Sequence, residues 1–168
     1  KPSDIVVSPG GPIILSDISE PEPDLTLHRE RPPSPGLHHP HAGEVILAIE
    51  VSDSSLSKDL GRKRRLYAEA GVPEYWVVDI PGDRVHRFLQ PNGGAFAIEE
   101  VFGRGQALAP RALPGLTVEV GPGLSTTNYA GLDLQGAVDL PWVQRRIGST
   151  YARRALQPWR LHLNIFNP

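Results

Sequence analysis

The sequence predicts an α/β fold built on a mixed β-sheet with a flanking helix and an antiparallel extension. Residues 44–52 and 74–80 are predicted strands, because their central runs, 45–49 and 75–78, are apolar, rich in β-branched side chains and typical of strands buried on both faces. Residues 54–70, between them, begin with a Ser-Ser cap and are followed by the stop signals Gly71 and Pro73. A helix between two buried strands indicates a β-α-β crossover in an α/β or α+β domain.

Shorter strand patterns surround this unit. They lie at residues 5–7, 13–15, 24–28, 83–90, 95–102 and 116–120. The first two flank a Gly-Gly-Pro turn and predict a hairpin or two edge strands, whereas the last three are separated by turn sequences and predict the antiparallel extension. The proline-rich residues 31–41 predict a surface loop.

Composition limits the classes of protein and site. The 168 residues include no cysteine, which excludes disulfides and thiolate metal sites, so any metal ligand must be oxygen or imidazole. The net charge of −2 lacks the basic signature of many nucleic-acid-binding proteins. No apolar run approaches the roughly 18 to 20 residues that span a bilayer, so we expect no membrane partner and a cytoplasmic location.

The chain divides by charge and pattern near residue 125. Residues 125–168 lack the strand and turn rhythm, and their five arginines against two aspartates give +3, which leaves −5 for residues 1–124. We therefore predict a globular domain at 1–124 and an appended tail at 125–168 that is partly helical or disordered. The absence of methionine suggests a fragment, a processed chain or an incompletely read sequence.

A carboxylate ends the most apolar strand of the sequence. Glu50 follows the run 45–49, where a charge costs several kcal/mol unless it is paired or binds a metal. Period two places Glu50 on the face of Ile46 and Ala48, near the carboxyl end of the strand, where α/β proteins tend to assemble sites. Asp24 begins another predicted strand, and if the two strands are adjacent, their carboxylates converge as oxygen ligands for Mg²⁺ or Mn²⁺.

Lys63 lies in the centre of the core-facing stripe of the helix. At about 100° per residue, the side chains within roughly 60° of Lys63 are Leu56, Asp59, Leu60, Leu66, Tyr67 and Ala70. A lysine that faces the sheet requires an anionic partner, and the helix begins just after Glu50. The sequence therefore predicts a cluster of Asp24, Glu50 and Lys63.

Each member of the cluster also has a structural interpretation. Asp24, after a proline, fits a turn residue; Glu50 and Lys63 fit a purely structural ion pair; and the lysine stem could extend along the helix to solvent. Asp79 ends its strand much as Glu50 does, but we interpret it as a cap of the following turn without a catalytic role.

Three helix arginines are candidate contacts to the DNA backbone. Arg62, Arg64 and Arg65 point away from the core-facing stripe, so their charges are available to phosphates. A lone basic run on a helix is more often a solvated face without a ligand.

Residues 12–120 resemble the Uma-two family of restriction-endonuclease-like proteins, within the PD-(D/E)XK nuclease superfamily. The positions that carry the resemblance are Pro23-Asp24, Glu50-Val51, Ser54-Ser55, Asp59, Lys63, Tyr67 and the segment 71–79, Gly-Val-Pro-Glu-Tyr-Trp-Val-Val-Asp. The chain departs from the superfamily at Ser52, where a lysine usually follows two residues after the glutamate. The family's opening helix, upstream of Lys1, and the tail after Ser125 also lie outside the match.

The resemblance implies a restriction-endonuclease-like fold and a Mg²⁺-dependent endonuclease, a hydrolase of DNA phosphodiester bonds. Asp24 and Glu50 would hold the metal, for which Mn²⁺ could substitute, and Lys63 would orient or activate the attacking water and stabilise phosphate charge. Nucleases that cut duplexes often act as symmetric dimers, so a homodimer is one expected assembly.

Two other functions are compatible with the same residues. A catalytically silent binding or scaffold module would be favoured if the Asp24 and Glu50 carboxylates lay too far apart to share one metal ion. A metal-dependent hydrolase of small phosphate esters would need a closed pocket where a DNA nuclease needs an open groove.

Overall fold

The computed structural model describes residues 5–29 and 39–121 as a six-stranded mixed sheet with a helix on one face, which confirms the predicted α/β class. The strands are β1 (Ile5–Pro9), β2 (Leu25–Arg29), β3 (Val45–Ser52), β4 (Glu74–Asp79), β5 (Arg84–Asn92), β6 (Ala95–Gly103), β7 (Ala107–Leu108) and β8 (Val118–Glu119). A 3₁₀ turn, Ala42–Glu44, precedes β3. The helix, named α1 here, consists of an α-helical turn (Leu56–Lys58), a π-helical turn (Asp59–Lys63) and an α-helical segment (Arg64–Glu69).

The main sheet runs β1-β2-β3-β4-β5-β6, and β3 and β4 form its parallel pair. Helix α1 connects these two strands, so the predicted β-α-β crossover is confirmed, and β5 and β6 provide the antiparallel extension. A parallel pair needs such a crossover because its strands start at the same edge of the sheet.

Two strand predictions are wrong in detail. Residues 13–15 form no strand; Ile14 makes an isolated bridge to His41, and β1 pairs with β2 instead. At residues 116–120 only Val118–Glu119 is a strand, and it pairs with β7 in a separate two-stranded sheet. In both cases the local pattern was compatible with a strand, but the pairing partner was decided by distant residues.

A β-bulge between β2 and β3 changes the face of one predicted residue. Leu27 is opposite Leu47 and His28 is opposite Val45, so Ile46 is the extra residue on β3. Ile46 consequently packs in the core on the face away from α1, whereas Ala48 packs on the helix face. The prediction that Ile46 shares the face of Glu50 is therefore wrong, although the alternation holds for Ala48.

Both faces of the sheet are buried. On one face α1 covers Tyr75 and other residues of β3 to β5, and on the other face the segment that carries β7 and β8 covers Trp76. Glu74 binds that segment to the sheet. Its carboxylate accepts hydrogen bonds from the Trp76 indole and from the amide of Arg111, which lies between β7 and β8, each at 2.7 Å. The centre of the sheet is thus a rigid base for side chains at its edges.

Three predictions lie partly or wholly outside the described residues. These are most of the proline-rich loop at 31–41, the tail at 125–168 and hence the division of the chain near residue 125. Within residues 5–29 and 39–121, no helix is long and apolar enough to cross a membrane.

Candidate active site

Asp24 and Glu50 meet because β2 and β3 are antiparallel neighbours. Leu25 is opposite Ile49, which places the start of β2 beside the carboxyl end of β3. The Val51 amide donates a 2.7 Å hydrogen bond to Oδ2 of Asp24. The adjacency on which the predicted cluster depends is therefore present.

Glu50 is buried beneath α1 and contacts two helix side chains. It is 3% exposed; its Oε1 accepts a 2.7 Å hydrogen bond from the Tyr67 hydroxyl, and its Oε2 lies 2.7 Å from Lys63 Nζ. Lys63 thus faces the sheet and pairs with Glu50, as the helical pattern predicted.

The π-helical turn brings three helix side chains to one side. In an uninterrupted α-helix, Asp59 and Tyr67 would point about 80° apart, because eight residues exceed two turns. The extra residue of a π-helical turn at Asp59–Lys63 sets this rotation back by about 100°, leaving the two directions about 20° apart. Asp59, Lys63 and Tyr67 can therefore all face the end of β3.

Asp59 completes the network. It is 1% exposed, its Oδ2 accepts hydrogen bonds from the hydroxyls of Ser52 and Ser55, and its Oδ1 lies 3.3 Å from Lys63 Nζ. Ser52 lies on β3 two residues after Glu50, so its hydrogen bond joins the helix to the strand that carries Glu50. Sequence reasoning placed Asp59 on the core-facing stripe without giving it a role, although its four-residue spacing from Lys63 was a usable signal.

Burial makes ionisation of both strand carboxylates costly. It raises the pKa of Glu50 to about 7, despite the opposing hydrogen bonds of Lys63 and Tyr67. Burial also raises the pKa of Asp24, against the Val51 amide and the charge of Lys63. Repulsion from Asp24 adds to the shift at Glu50, which reflects how near the two groups lie.

Lys63 is held as a cation. Burial alone would lower its pKa, but the hydrogen bond and charge of Glu50 and the charge of Asp59 raise the pKa above its ordinary value. A lysine in this state stabilises negative charge and donates hydrogen bonds, and it is poorly suited to removing a proton from water.

The strand carboxylates form a donor set of the kind that Mg²⁺ takes. Mg²⁺ is commonly bound by one or two carboxylates together with water and substrate phosphate. Glu50 uses one hydrogen bond on each oxygen, and a carboxylate has about four acceptor positions, so it retains capacity for a ligand. Within the described ranges, no group of three or more His, Cys, Asp or Glu side chains is arranged to hold a metal ion. A cation here would be held by Asp24 and Glu50, with water and phosphate oxygens among its further ligands.

The three candidate DNA-contacting arginines differ in their surroundings. Arg62 is exposed, Arg65 forms a 2.8 Å ion pair with Glu69 on the same helix, and Arg64 lies 3.4 Å from Glu99. The Arg64 guanidinium also lies 5.2 Å from the ring centroid of Phe88. Exposed ion pairs of this kind are weak enough to exchange for phosphate.

Comparison with known proteins gives a family. No curated protein matches the chain at a significant level. A family profile described as "Putative restriction endonuclease" matches residues 2–121, and this range contains both strand carboxylates, the helix lysine and the whole main sheet. The chain therefore belongs to the Uma2 family, the family that carries this restriction-endonuclease description.

Proposed function

We propose that this protein is a metal-dependent endonuclease that hydrolyses DNA phosphodiester bonds, with Mg²⁺ or Mn²⁺ held by Asp24 and Glu50. The observation that carries the proposal is that a strand start, a strand end and a helix bring Asp24, Glu50 and Lys63 together at one edge of the sheet. Membership of a family described as restriction endonucleases supports a nuclease at the level of the family.

The three residues have distinct roles in this proposal. Asp24 and Glu50 would hold the metal through oxygen, and a divalent cation bound there would lower the pKa of a coordinated water and offset phosphate charge. Lys63 donates hydrogen bonds to a phosphate oxygen and helps to orient the attacking water. Tyr67 holds Oε1 of Glu50, so the direction of the carboxylate is set before substrate binds.

A catalytically silent module is the second candidate, and one observation favours it. Both oxygens of Glu50 already have partners within the protein. The hydrogen bond from Tyr67 and the ion pair with Lys63 can therefore be purely structural. In that case the fold would be retained for binding without hydrolysis.

Cleavage of supercoiled plasmid tests the proposal. The protein is incubated with Mg²⁺ or Mn²⁺, with EDTA as the metal-free control, and is compared with Asp24→Asn and Glu50→Gln. Asp79→Asn is the matched control, because Asp79 is also a buried strand-end carboxylate but is bound by the Gly82 amide and Arg84, outside the cluster. Metal-dependent nicking that only the first two substitutions abolish supports the endonuclease. A folded chain that neither binds metal nor nicks DNA overturns the proposal and favours the silent module.

The proposal includes three further expectations. DNA is contacted by Arg62, Arg64 and Arg65; two copies associate to cut the two strands of a duplex; and the protein acts in the cytoplasm. Charge reversal of the arginines should weaken DNA binding and reduce its salt dependence. Sedimentation with and without DNA measures whether two copies associate.

A further inference from the structure

Asp59 occupies a position that a simple helix cap does not explain. Both hydroxyl contacts go to its Oδ2, from Ser52 on β3 and from Ser55 at the N-cap of α1. Its Oδ1 is buried and has no hydrogen-bond partner among the described residues, and it faces the Lys63 ammonium at 3.3 Å. One oxygen is therefore anchored to the fold while the other is directed at the lysine.

The anchoring joins the helix to the strand that carries Glu50. Ser52 lies two residues after Glu50, and its hydroxyl is 2.6 Å from Asp59 Oδ2. The Tyr75 hydroxyl on β4 donates a 3.1 Å hydrogen bond to the backbone carbonyl of Asp59. Two neighbouring strands thus fix both the side chain and the backbone of this helix residue.

Lys63 needs such a restraint if it is to act at a defined point. Its side chain is 19% exposed, and a free lysine side chain has many rotamers, so a single contact to Glu50 would allow it to swing towards solvent. Contacts of 2.7 Å to Glu50 and 3.3 Å to Asp59 hold the ammonium from two sides.

We propose that Asp59 is a positioning residue: its carboxylate, anchored by Ser52 and Ser55, holds the Lys63 ammonium against Glu50 at the carboxyl end of β3. This inference rests on the proposed endonuclease for its catalytic consequence, but the positioning itself is a property of the protein alone. Asp59 contacts no reacting atom and acts through Lys63.

Asp59→Asn is the discriminating variant. Asparagine keeps the size and an oxygen that accepts the two hydroxyl hydrogen bonds, but it removes the charge that faces Lys63. Because small displacements of a positioned group reduce catalysis strongly, kcat for plasmid nicking should fall by about 100-fold. KM should change less than about threefold, since the DNA-contacting surface is unaltered.

The matched control is Glu69→Gln. It breaks another ion pair on α1, between Arg65 and Glu69 at the same four-residue spacing, but that pair is on the exposed side of the helix. At saturating DNA its kcat should equal that of the wild type, because release of Arg65, a proposed DNA contact, alters binding only; this separates positioning of Lys63 from general loss of helix charge.

A readout that does not depend on activity is the ¹⁵N resonance of the Lys63 ammonium, assigned by its loss in Lys63→Gln. A restrained, hydrogen-bonded ammonium exchanges its protons slowly and has a high side-chain order parameter. Wild type and Glu69→Gln should show this signal, and Asp59→Asn should broaden or lose it. If Asp59→Asn does not fold, Ser52→Ala, which removes one anchoring hydroxyl, is measured instead and should lower the order parameter.

Loss of the ordered ammonium together with the fall in kcat supports the proposal. Retention of the ordered signal in folded Asp59→Asn overturns it, and a lost signal with unchanged kcat overturns its catalytic consequence. If the wild type cleaves no DNA under any metal condition, the endonuclease proposal fails, and the ammonium signal alone then decides whether Asp59 positions Lys63.

Discussion

Two buried carboxylates end the parallel strands of the sheet, and they behave in opposite ways. Glu50 on β3 and Asp79 on β4 are 3% and 1% exposed, and each has a basic partner, Lys63 at 2.7 Å and Arg84 at 2.8 Å. Burial raises the pKa of Glu50 to about 7. At Asp79 burial acts in the same direction, but the hydrogen bonds of Arg84 and the Gly82 amide outweigh it and lower the pKa.

The opposite pKa shifts of Glu50 and Asp79 arise from their different hydrogen-bond donors. Asp79 accepts from a backbone amide at 2.8 Å and from a guanidinium whose side chain is 48% exposed, so the ionised form is stabilised near solvent. Glu50 accepts hydrogen bonds from the Tyr67 hydroxyl and the Lys63 ammonium, both on the side of α1 that faces the sheet. Burial and an ion pair are therefore insufficient to identify a site. Asp79 has the geometry of the turn cap that the sequence predicted, whereas Glu50 retains a need for positive charge.

Removal of the basic partner should distinguish the two carboxylates most strongly. Lys63→Met leaves Glu50 buried without its cation, and breaking a buried pair in this way costs about 3–5 kcal/mol of unfolding free energy. Arg84→Met should cost less than about 1 kcal/mol, because the guanidinium is half exposed and Asp79 keeps the Gly82 amide. Urea unfolding at pH 8 measures both values. Equal losses would contradict the distinction.

The pH dependence of stability should have opposite signs for the two groups. Since the pKa of Glu50 is raised from 4.5 to about 7, the unfolded chain ionises this group first, and the free energy of unfolding should fall by about 3 kcal/mol as pH rises through that interval. Because the pKa of Asp79 is lowered from 3.8, its contribution is present above pH 3.8 and is lost as pH falls through its folded value.

Denaturant titrations in EDTA test these signs. The fall between pH 4.5 and 7 should be smaller in Glu50→Gln by the contribution of this group, and the acid loss should be reduced in Asp79→Asn. A Glu50→Gln variant that keeps the full wild-type slope would show that Glu50 is not the group responsible.

A glycine substitution should disturb the Asp79 turn alone. A Cβ at Gly82 would overlap the Asp79 carboxylate and would lie 2.6 Å from its Cγ, so the carboxylate must move away from its donors. Gly82→Ala should therefore lower stability by about 2 kcal/mol through lost hydrogen bonds and steric strain. Metal-dependent nicking by the folded variant should be unchanged, and a large loss of activity would link Asp79 to the site.

The smallest effect is expected at the glycine in α1, above the Glu50 cluster. A Cβ at Gly61 meets no atom within 4 Å, and glycine is an unfavourable helix residue. Gly61→Ala should therefore raise the free energy of unfolding, measured by thermal denaturation, by about 0.5–1 kcal/mol. Activity should be retained. A destabilised Gly61→Ala would indicate that the π-helical turn needs glycine.

The sequence by itself determined the central unit of this protein. Apolar runs, a Ser-Ser cap and the Gly71 and Pro73 stop signals are local features, and they predicted the β3, α1 and β4 unit to within two residues at each element boundary. The rotation of 100° per residue of an α-helix was also sufficient to predict that Lys63 faces the sheet. The π-helical turn rotates the side chains after it relative to those before it by less than half a turn, so this prediction still holds.

Only the tertiary structure decided which strands pair and which contacts complete the cluster. The bulge at Ile46, the pairing of β1 with β2 and the separation of β8 from the main sheet depend on residues far apart in sequence, so no local pattern specifies them. The contact of Asp59 with both Ser52 and Lys63 arises for the same reason: a strand and a helix must first be packed together before one carboxylate can reach both.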